Sequence, residues 1–329
     1  MAKIGVGGGA GFIGSHLVDN LVRNGHSVFV IDDLSGGNED NLNQKAKFYK
    51  GDCRYWNLMD EIFESEKPEV FFCLQANAAE NKSVFSPIDI TSRNYSAFIN
   101  TLTPFIKYGG KRFVFTSSIA VYGAQQTPFK EDAKPEPEDL YGVTKLAAEQ
   151  TLEVMSKVHG FEYIITRPHN VYGPRQNMTD PYRNVVTIWM NALLQGKSYF
   201  IYGDGSMKRC FSYIDDVIEA LYKCIDIPTK NWTFNIGADT SYTLNELAQV
   251  LQRVTGIKQK PIYLPKRAQE VQEAIADHTK AKLFLKYKDS VSLQTGMKNT
   301  WEWAKKQGPQ EPIKTGFEIM SDKIPSNWL

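Results

Sequence analysis

The stretch Ile4-Gly5-Val6-Gly7-Gly8-Gly9-Ala10-Gly11-Phe12-Ile13-Gly14-Ser15 decides the fold. A short apolar run enters a glycine cluster, and the cluster opens an amphipathic helix that reads on from Ser15 to Asn24. In the spacing Gly8-x-x-Gly11-x-x-Gly14 the first glycine permits a tight turn and the second lets backbone approach a pyrophosphate. The third lets the helix pack closely on the strand, with phosphates at the helix N-terminus. The next apolar run, from Ser27 to Ile31, closes in Asp32. A carboxylate there holds the two ribose hydroxyls of NAD and repels the extra phosphate of NADP.

The chain has 329 residues, enough for one large α/β unit or two domains sharing a cleft. A net charge of +1 argues against nucleic-acid or membrane-surface partners recruited by bulk charge. No apolar run approaches the roughly 20 residues that span a bilayer. With the first strand starting at Lys3 there is no room for a signal peptide, and a cytoplasmic location is expected. The four cysteines (Cys53, Cys73, Cys210 and Cys224) form no C-x-x-C pair, so neither a zinc site nor a disulfide framework is expected.

The first half alternates strand and helix: β-rich runs at 3–6, 27–31, 47–50, 70–74 and 112–116, helical stretches at 14–24, 55–66 and 92–108. That alternation predicts a doubly wound parallel sheet of Rossmann type. A Pro-rich acidic loop (127–139) precedes a strong helix at 141–158, and a strand at 163–167 ends at Pro168. Beyond it come aromatic, glycine-rich loops, a helix at 214–224, a strand at 233–236, a helix at 244–254 and an irregular C-terminal third. The expected division is an NAD-binding domain, 1–167 with 212–238, and a smaller α/β substrate lobe, 168–211 with 239–329. The ligand cleft belongs between them, at the carboxyl ends of the strands.

Tyr141-Gly-Val-Thr-Lys145 opens the strongest helix, and residues at i and i+4 share one face. An ammonium beside a phenol favours the phenolate, so the pair is a proton-transfer device if it stands beside a nicotinamide. The run 112–116 leads into Ser117 and Ser118, which places hydroxyls at a strand's carboxyl end.

Together these features resemble the extended short-chain dehydrogenase/reductases, and among them the sugar-nucleotide epimerase/dehydratase family. The motifs that carry the likeness are Gly8-Gly-Ala-Gly-Phe-Ile-Gly14, Asp32-Asp-Leu-Ser35, Gly51-Asp52, Ser117-Ser-Ile-Ala-Val-Tyr-Gly123, Tyr141-x-x-x-Lys145, Arg167-Pro-His-Asn-Val-Tyr-Gly-Pro174, and Tyr202-Gly-Asp-Gly205 followed by Arg209. The resemblance implies Ser118, Tyr141 and Lys145 as the catalytic set. It implies NAD along Gly8, Gly11, Phe12, Ile13, Gly14, Asp32, Asp33, Leu34, Ser35, Asp52, Cys53, Leu74, Gln75, Ala76 and Pro168, together with Tyr141 and Lys145. It implies a nucleotide-diphosphate sugar against Ser118, Asn170, Asn184, Arg209, Arg267 and Ala274. It implies no metal. A homodimer is also implied, built on helices 92–108 and 141–158, the first offering Tyr95, Phe98, Ile99, Leu102 and Ile106.

Three positions depart from the family pattern: Cys73 stands where His is usual, Gln75 where Ala is usual, and Gly7 where Thr is common. The histidine is no catalytic group in the family, so the chemistry is expected to survive. Sugar 4,6-dehydratases of the family carry Asp-Glu after the catalytic hydroxyl residue, and decarboxylases carry Glu directly before Val-Tyr-Gly. Here Ile119 and Ala120 fill those places and move no protons. The remaining set suits 4-epimerisation of a UDP-glucose/UDP-galactose type of substrate, and Ala274 leaves room for N-acetyl forms. A nucleotide-sugar keto-reductase or dehydratase of the same family, and a non-catalytic NAD(P)-sensing protein on this fold, stand as the alternative readings.

Overall fold

The computed structural model describes residues 1–267 and 271–329. In chain order the elements are β1 (Lys3–Gly7), α1 (Phe12–Arg23), β2 (Ser27–Asp32), β3 (Lys47–Lys50), α2 (Trp56–Glu66), β4 (Val70–Cys73), α3 (Glu80–Ser83), α4 (Pro87–Thr91), α5 (Ala97–Lys107), β5 (Arg112–Thr116), α6 (Leu140–His159) and β6 (Glu162–Pro168). There follow β7 (Val171–Tyr172), α7 (Val185–Leu194), β8 (Phe200–Tyr202), β9 (Lys208–Cys210), β10 (Ser212–Tyr213), α8 (Ile214–Lys223) and β11 (Trp232–Ile236). The chain closes with β12 (Ser241–Thr243), α9 (Leu244–Thr255), β13 (Ile262–Leu264), β14 (Glu273–Ala274), α10 (Thr279–Phe284) and α11 (Leu293–Gln307).

Seven strands make one parallel sheet in the order β11-β6-β5-β4-β1-β2-β3, the doubly wound arrangement expected from the alternating sequence. Its central strands are buried on both faces, which explains their nearly continuous apolar runs. Alternate residues feed two separate cores. Val28, Val30, Val70 and Phe72 face one side with Leu17 and Leu21 of α1, Leu221 of α8 and Trp301 of α11. Phe29, Ile31, Phe71 and Cys73 face the other with Phe63 of α2, Phe98 and Phe105 of α5 and Leu152 of α6. Strand order reverses between β1 and β4, and loops diverging at such a point leave a crevice beyond the strand ends.

Smaller sheets wall that crevice: β7 with β10, β8 with β13, and β9 between β12 and β14. Two expectations need adjustment. The helix read at 92–108 is a longer run in which residues 92–96 form a wider π-turn joining α4 to α5. The C-terminal third is less irregular than its sequence suggests, because α11 covers fifteen residues there. Its buried positions include Leu293, Met297, Trp301 and Ala304, a stripe diluted by Gly296 and Thr300, so the apolar signal is thin.

Helix α6 carries the Tyr-Lys motif and is fixed at three points. Asp139 caps its start by accepting from the Gly142 amide at 2.8 Å, and Gly160 ends it in the left-handed conformation, φ 79°. Between them Glu149 forms a buried ion pair with Arg167 of β6, at 2.9 and 2.5 Å. Arg167 also donates to the Tyr122 hydroxyl, which donates in turn to Asn235 of β11. Removing one partner of a fully buried pair strands the other charge, so Glu149→Gln is expected to cost about 3–5 kcal/mol of unfolding free energy. Denaturant titration measures this, and the double change Glu149→Leu/Arg167→Met is expected to recover most of the loss.

Candidate active site

A cleft of about 1080 Å³ lies at the carboxyl ends of the central strands. Every expected catalytic, cofactor and substrate residue lines it except Leu34. Leu34 sits in the left-handed region (φ 61°) and contributes its amide rather than its side chain, donating to Asp32 Oδ1 at 2.8 Å.

The dinucleotide end is built on the start of α1. Gly11 occupies the cap position with no side chain closing it, so the first helical N–H groups remain available to phosphate. A Cβ at Gly14 would meet the Gly8 carbonyl oxygen at 2.1 Å, so only glycine lets this helix start so close to the turn. Asp32 accepts from the Ala10 amide at 3.0 Å as well as from Leu34, and burial pushes its carboxyl above the usual range. A desolvated carboxylate with oxygen lone pairs to spare fits the two hydroxyls of a ribose. Asp52 is opposed by burial, yet the Arg54 guanidinium at 2.6 Å holds it below the usual range. Cys53 is buried, and burial drives its thiol well up.

The sequence places no arginine near Asp32, but folding brings one to its neighbour. Arg93 ion-pairs with Asp33 at 3.2 Å and donates to the Ser35 hydroxyl at 2.9 Å, while its Nε binds Asp89. These groups engage Arg93 from three sides, and Asp32 keeps its place at the strand end.

Two of the departures from the family pattern, Gly7 and Gln75, share one volume. A Cβ on Gly7 would lie 2.1 Å from Gln75 Oε1, so the Gln75 side chain fills the volume that a threonine at position 7 would need. Gln75 Nε2 donates to Thr101 Oγ1 at 3.0 Å, which anchors it beneath the loop formed by Leu74, Gln75 and Ala76.

At the reaction end, the Ser118 hydroxyl accepts from the Ala120 amide at 3.1 Å and stands where it favours the phenolate of Tyr141. One turn along α6, Lys145 Nζ donates to the Thr116 carbonyl at 2.7 Å, 5.7 Å from the centre of the Tyr141 ring. Burial lowers Lys145 to about 8. The expected lowering of the phenol by this ammonium is outweighed by burial. Burial raises Tyr141 well above the usual range, and Glu80 and Asp139 add to the rise. Desolvation of the phenolate outweighs a cation that is itself destabilised. Pro168 ends β6 beside this set.

The far end holds the remaining candidates. Asn170 (φ 42°) donates its amide to the Cys210 carbonyl, and Asn184 (φ 67°) stands at the start of α7. Arg209 of β9 donates to the Val271 carbonyl at 2.7 Å. Arg267 lies over the Tyr202 ring at 4.2 Å. Ala274 pairs with Arg209 across β14 and β9 and is buried with Ile119, Tyr122 and Phe129. Ala268, Gln269 and Glu270, which complete the motif after Arg267, lie outside the described residues. Sequence reasoning missed Glu80, Arg93, Arg183 and the segment after α11, all of which line the cleft. None stands in a motif, and each arrives from a distant part of the chain. Among the described residues no group of side chains could hold a metal ion, and no helix is long and apolar enough to cross a membrane.

Residues 4–237 match the model of the NAD dependent epimerase/dehydratase family. The chain is 35% identical over 302 residues to a putative UDP-glucose 4-epimerase of Methanocaldococcus jannaschii, covering 91% of this chain and 97% of that protein. Its fold superposes on the UDP-glucose 4-epimerase of Thermotoga maritima, solved with UDP-glucose, with a TM-score of 0.88 and 38% identity over 93% of this chain and 99% of the other. The UDP-glucuronic acid 4-epimerase of Bacillus cereus, solved with UDP-glucuronic acid and NAD, gives 0.86 and 27% over 93% and 99%. The protein belongs to the NAD dependent epimerase/dehydratase family, whose fold and dinucleotide crevice it shares.

Two outcomes follow from this geometry. Gly7→Thr alone is expected to destabilise by about 1–2 kcal/mol through overpacking, and to be neutral or better in a Gln75→Ala background. Equal costs in both backgrounds, measured by thermal or denaturant unfolding, would show that the positions are uncoupled. In protein stripped of cofactor, ultraviolet difference titration of wild type against Tyr141→Phe is expected to reveal no extra phenolate below pH 10, roughly the unperturbed tyrosine value.

Proposed function

We propose that the protein is an NAD-dependent 4-epimerase of a nucleotide-diphosphate sugar, of UDP-glucose/UDP-galactose type and extending to the N-acetyl forms. The reading rests on one observation: the Ser118–Tyr141–Lys145 set is intact at the cleft floor, while the two places after Ser118 hold Ile119 and Ala120. Oxidation and return of hydride need only the former, whereas elimination and decarboxylation need an acid at the latter.

Tyr141, as phenolate, takes the proton of the sugar 4-hydroxyl, and the Ser118 hydroxyl holds the same oxygen. NAD, when bound, accepts the hydride of that carbon and gives it back. Once the 4-keto sugar has turned over in the cleft, Tyr141 returns its proton to the oxygen and the carbon regains hydride on the opposite face. Lys145 binds the ribose next to the nicotinamide and fixes the tyrosine. Asp32 and Asp52, with the glycine turn, hold the adenosine half and the pyrophosphate. Asn170, Asn184, Arg209 and Arg267 hold the nucleotide diphosphate of the sugar, for which arginine's fork is suited.

We read residues 1–167 with 212–238 as the cofactor domain and 168–211 with 239–329 as the nucleotide-sugar lobe. We also read the protein as a cytoplasmic homodimer. Four free, buried cysteines suit a reducing compartment. Of the five apolar residues expected at the dimer face, Phe98 and Leu102 are spent in the chain's own core, leaving Tyr95, Ile99 and Ile106 partly open. Val154 and Val158 of α6 are 60% and 72% exposed and extend that face.

Incubation with a panel of UDP-sugars, read by NMR, is expected to interconvert the 4-epimers of glucose and N-acetylglucosamine. Tyr141→Phe is expected to keep NAD and lose turnover by a factor of about 10² or more. Ala274→Tyr is expected to lower kcat/KM for N-acetyl substrates against plain hexoses, because its ring would overpack the pocket. An unchanged ratio would remove Ala274 as the gate.

A further inference from the structure

After α11 the chain does not leave the molecule but runs back across the mouth of the cleft. Asn191 joins it early, bonding Gln310 through both its amide groups. Thr315 exchanges two hydrogen bonds with Tyr182, its carbonyl accepting from the hydroxyl and its amide donating back. Beneath this crossing lies Lys82 of α3, 5% exposed, bound to Thr315 Oγ1 and facing the rings of Tyr182 at 4.8 Å and Phe317 at 5.4 Å. Burial lowers the Lys82 pKa, opposed by the aromatic faces, the Thr315 hydroxyl and the more distant carboxylates of Asp89, Asp180 and Glu318. Glu318 then closes the N-terminus of α4, accepting from the Ile88 and Asp89 amides at 2.7 and 2.8 Å. Two of these anchors, Tyr182 and Phe317, share one aromatic cluster with Trp328 near the segment's end.

The last residues do something different. Asn327 Oδ1 accepts from the Tyr202 hydroxyl at 2.9 Å. Trp328 is 3% exposed, packs edge-on against Tyr182, and lies 5.9 Å from the Arg267 guanidinium, whose nearer face stacks on Tyr202. A guanidinium seated against aromatic rings is restrained in its position, and arginine's fork grips a phosphate in two parallel bonds. An unrestrained arginine loses side-chain freedom when it does this, and one held in advance loses less.

We infer that the segment after α11 is a strap whose end, Asn327 and Trp328, positions Tyr202 and Arg267 to receive the nucleotide diphosphate. Trp328 is thus a positioning residue: it acts through Arg267 and touches no reacting atom. This rests on the nucleotide-sugar reading above. It adds that affinity for the nucleotide is supplied partly by the far end of the chain, while the cofactor and the chemistry are served elsewhere.

The test uses the whole holoprotein with Trp328→Ala and Trp328→Phe, since cutting the strap away would also release Lys82 and α4. Calorimetric titration with UDP alone, kcat and KM for the best UDP-sugar, and bound NAD content are measured for each. Trp328→Ala is expected to weaken UDP binding and raise KM about tenfold, the scale of one desolvated cation–π contact. Turnover at saturation and NAD content are expected to stay unchanged, and Trp328→Phe, which keeps a ring, to retain most of the affinity. UDP binding unaltered in Trp328→Ala would overturn the inference. So would a parallel fall of kcat and NAD content, which marks general disruption. A wild type that neither binds UDP nor turns over any UDP-sugar would instead overturn the functional reading, and the inference with it.

Discussion

The buried ion pair between Glu149 and Arg167 is the contact on which the reaction centre depends. Tyr141, Lys145 and Glu149 follow one another at intervals of four on α6, so they lie along one face of the helix, and all three are buried. Glu149 binds that face to β6, and the Tyr122–Asn235 relay carries the connection on to β11. A rotation of α6 that displaced the tyrosine would have to break a charge pair in a low-dielectric interior. The geometry of the phenol is therefore set two turns away, by a contact with no chemical part in the reaction.

The cleft sets its ionisable groups against their charged forms in a consistent way. Burial raises Asp32, raises Tyr141 and lowers Lys145, each shift opposing the charge that the proposed role requires. A ribose hydroxyl beside Asp32 and a cationic ring beside the phenol would both relieve it. Some of the strained backbone lies at the same place: Asn170 and Asn184 line the cleft with positive φ, and Leu34 holds it beside Asp32. The fold stabilises these positions elsewhere, chiefly through two aromatic-rich cores on either side of the sheet.

What the sequence discloses is what short-range patterns encode. The glycine turn, the acid closing β2, the serines after β5 and the Tyr-Lys pair are each legible because a few consecutive residues define both the element and the chemistry. The parallel, doubly wound character of the sheet follows from the same alternation. The hidden parts are those assembled from distance. Arg93 meets Asp33 across the crevice, Glu80 approaches Tyr141 from a four-residue helix, and Lys82 is buried by residues more than two hundred positions later. Gly7 and Gln75 look like two unrelated departures until the strands bring them into one volume. Helix α11 escaped because its apolar stripe is interrupted by small and polar residues.

The position of β11 at the edge of the main sheet has a consequence for biosynthesis. Trp232–Ile236 pairs with β6, yet the chain between them builds much of the cleft's outer wall. On a ribosome, the first six strands emerge well before their seventh partner, and until then β6 presents an open row of backbone donors and acceptors. The cofactor crevice and the wall facing it therefore mature together rather than as successive units. Such a nascent chain has a stretch of synthesis in which an unpaired, apolar strand edge calls for shielding, and its length is set by the insertion between β6 and β11.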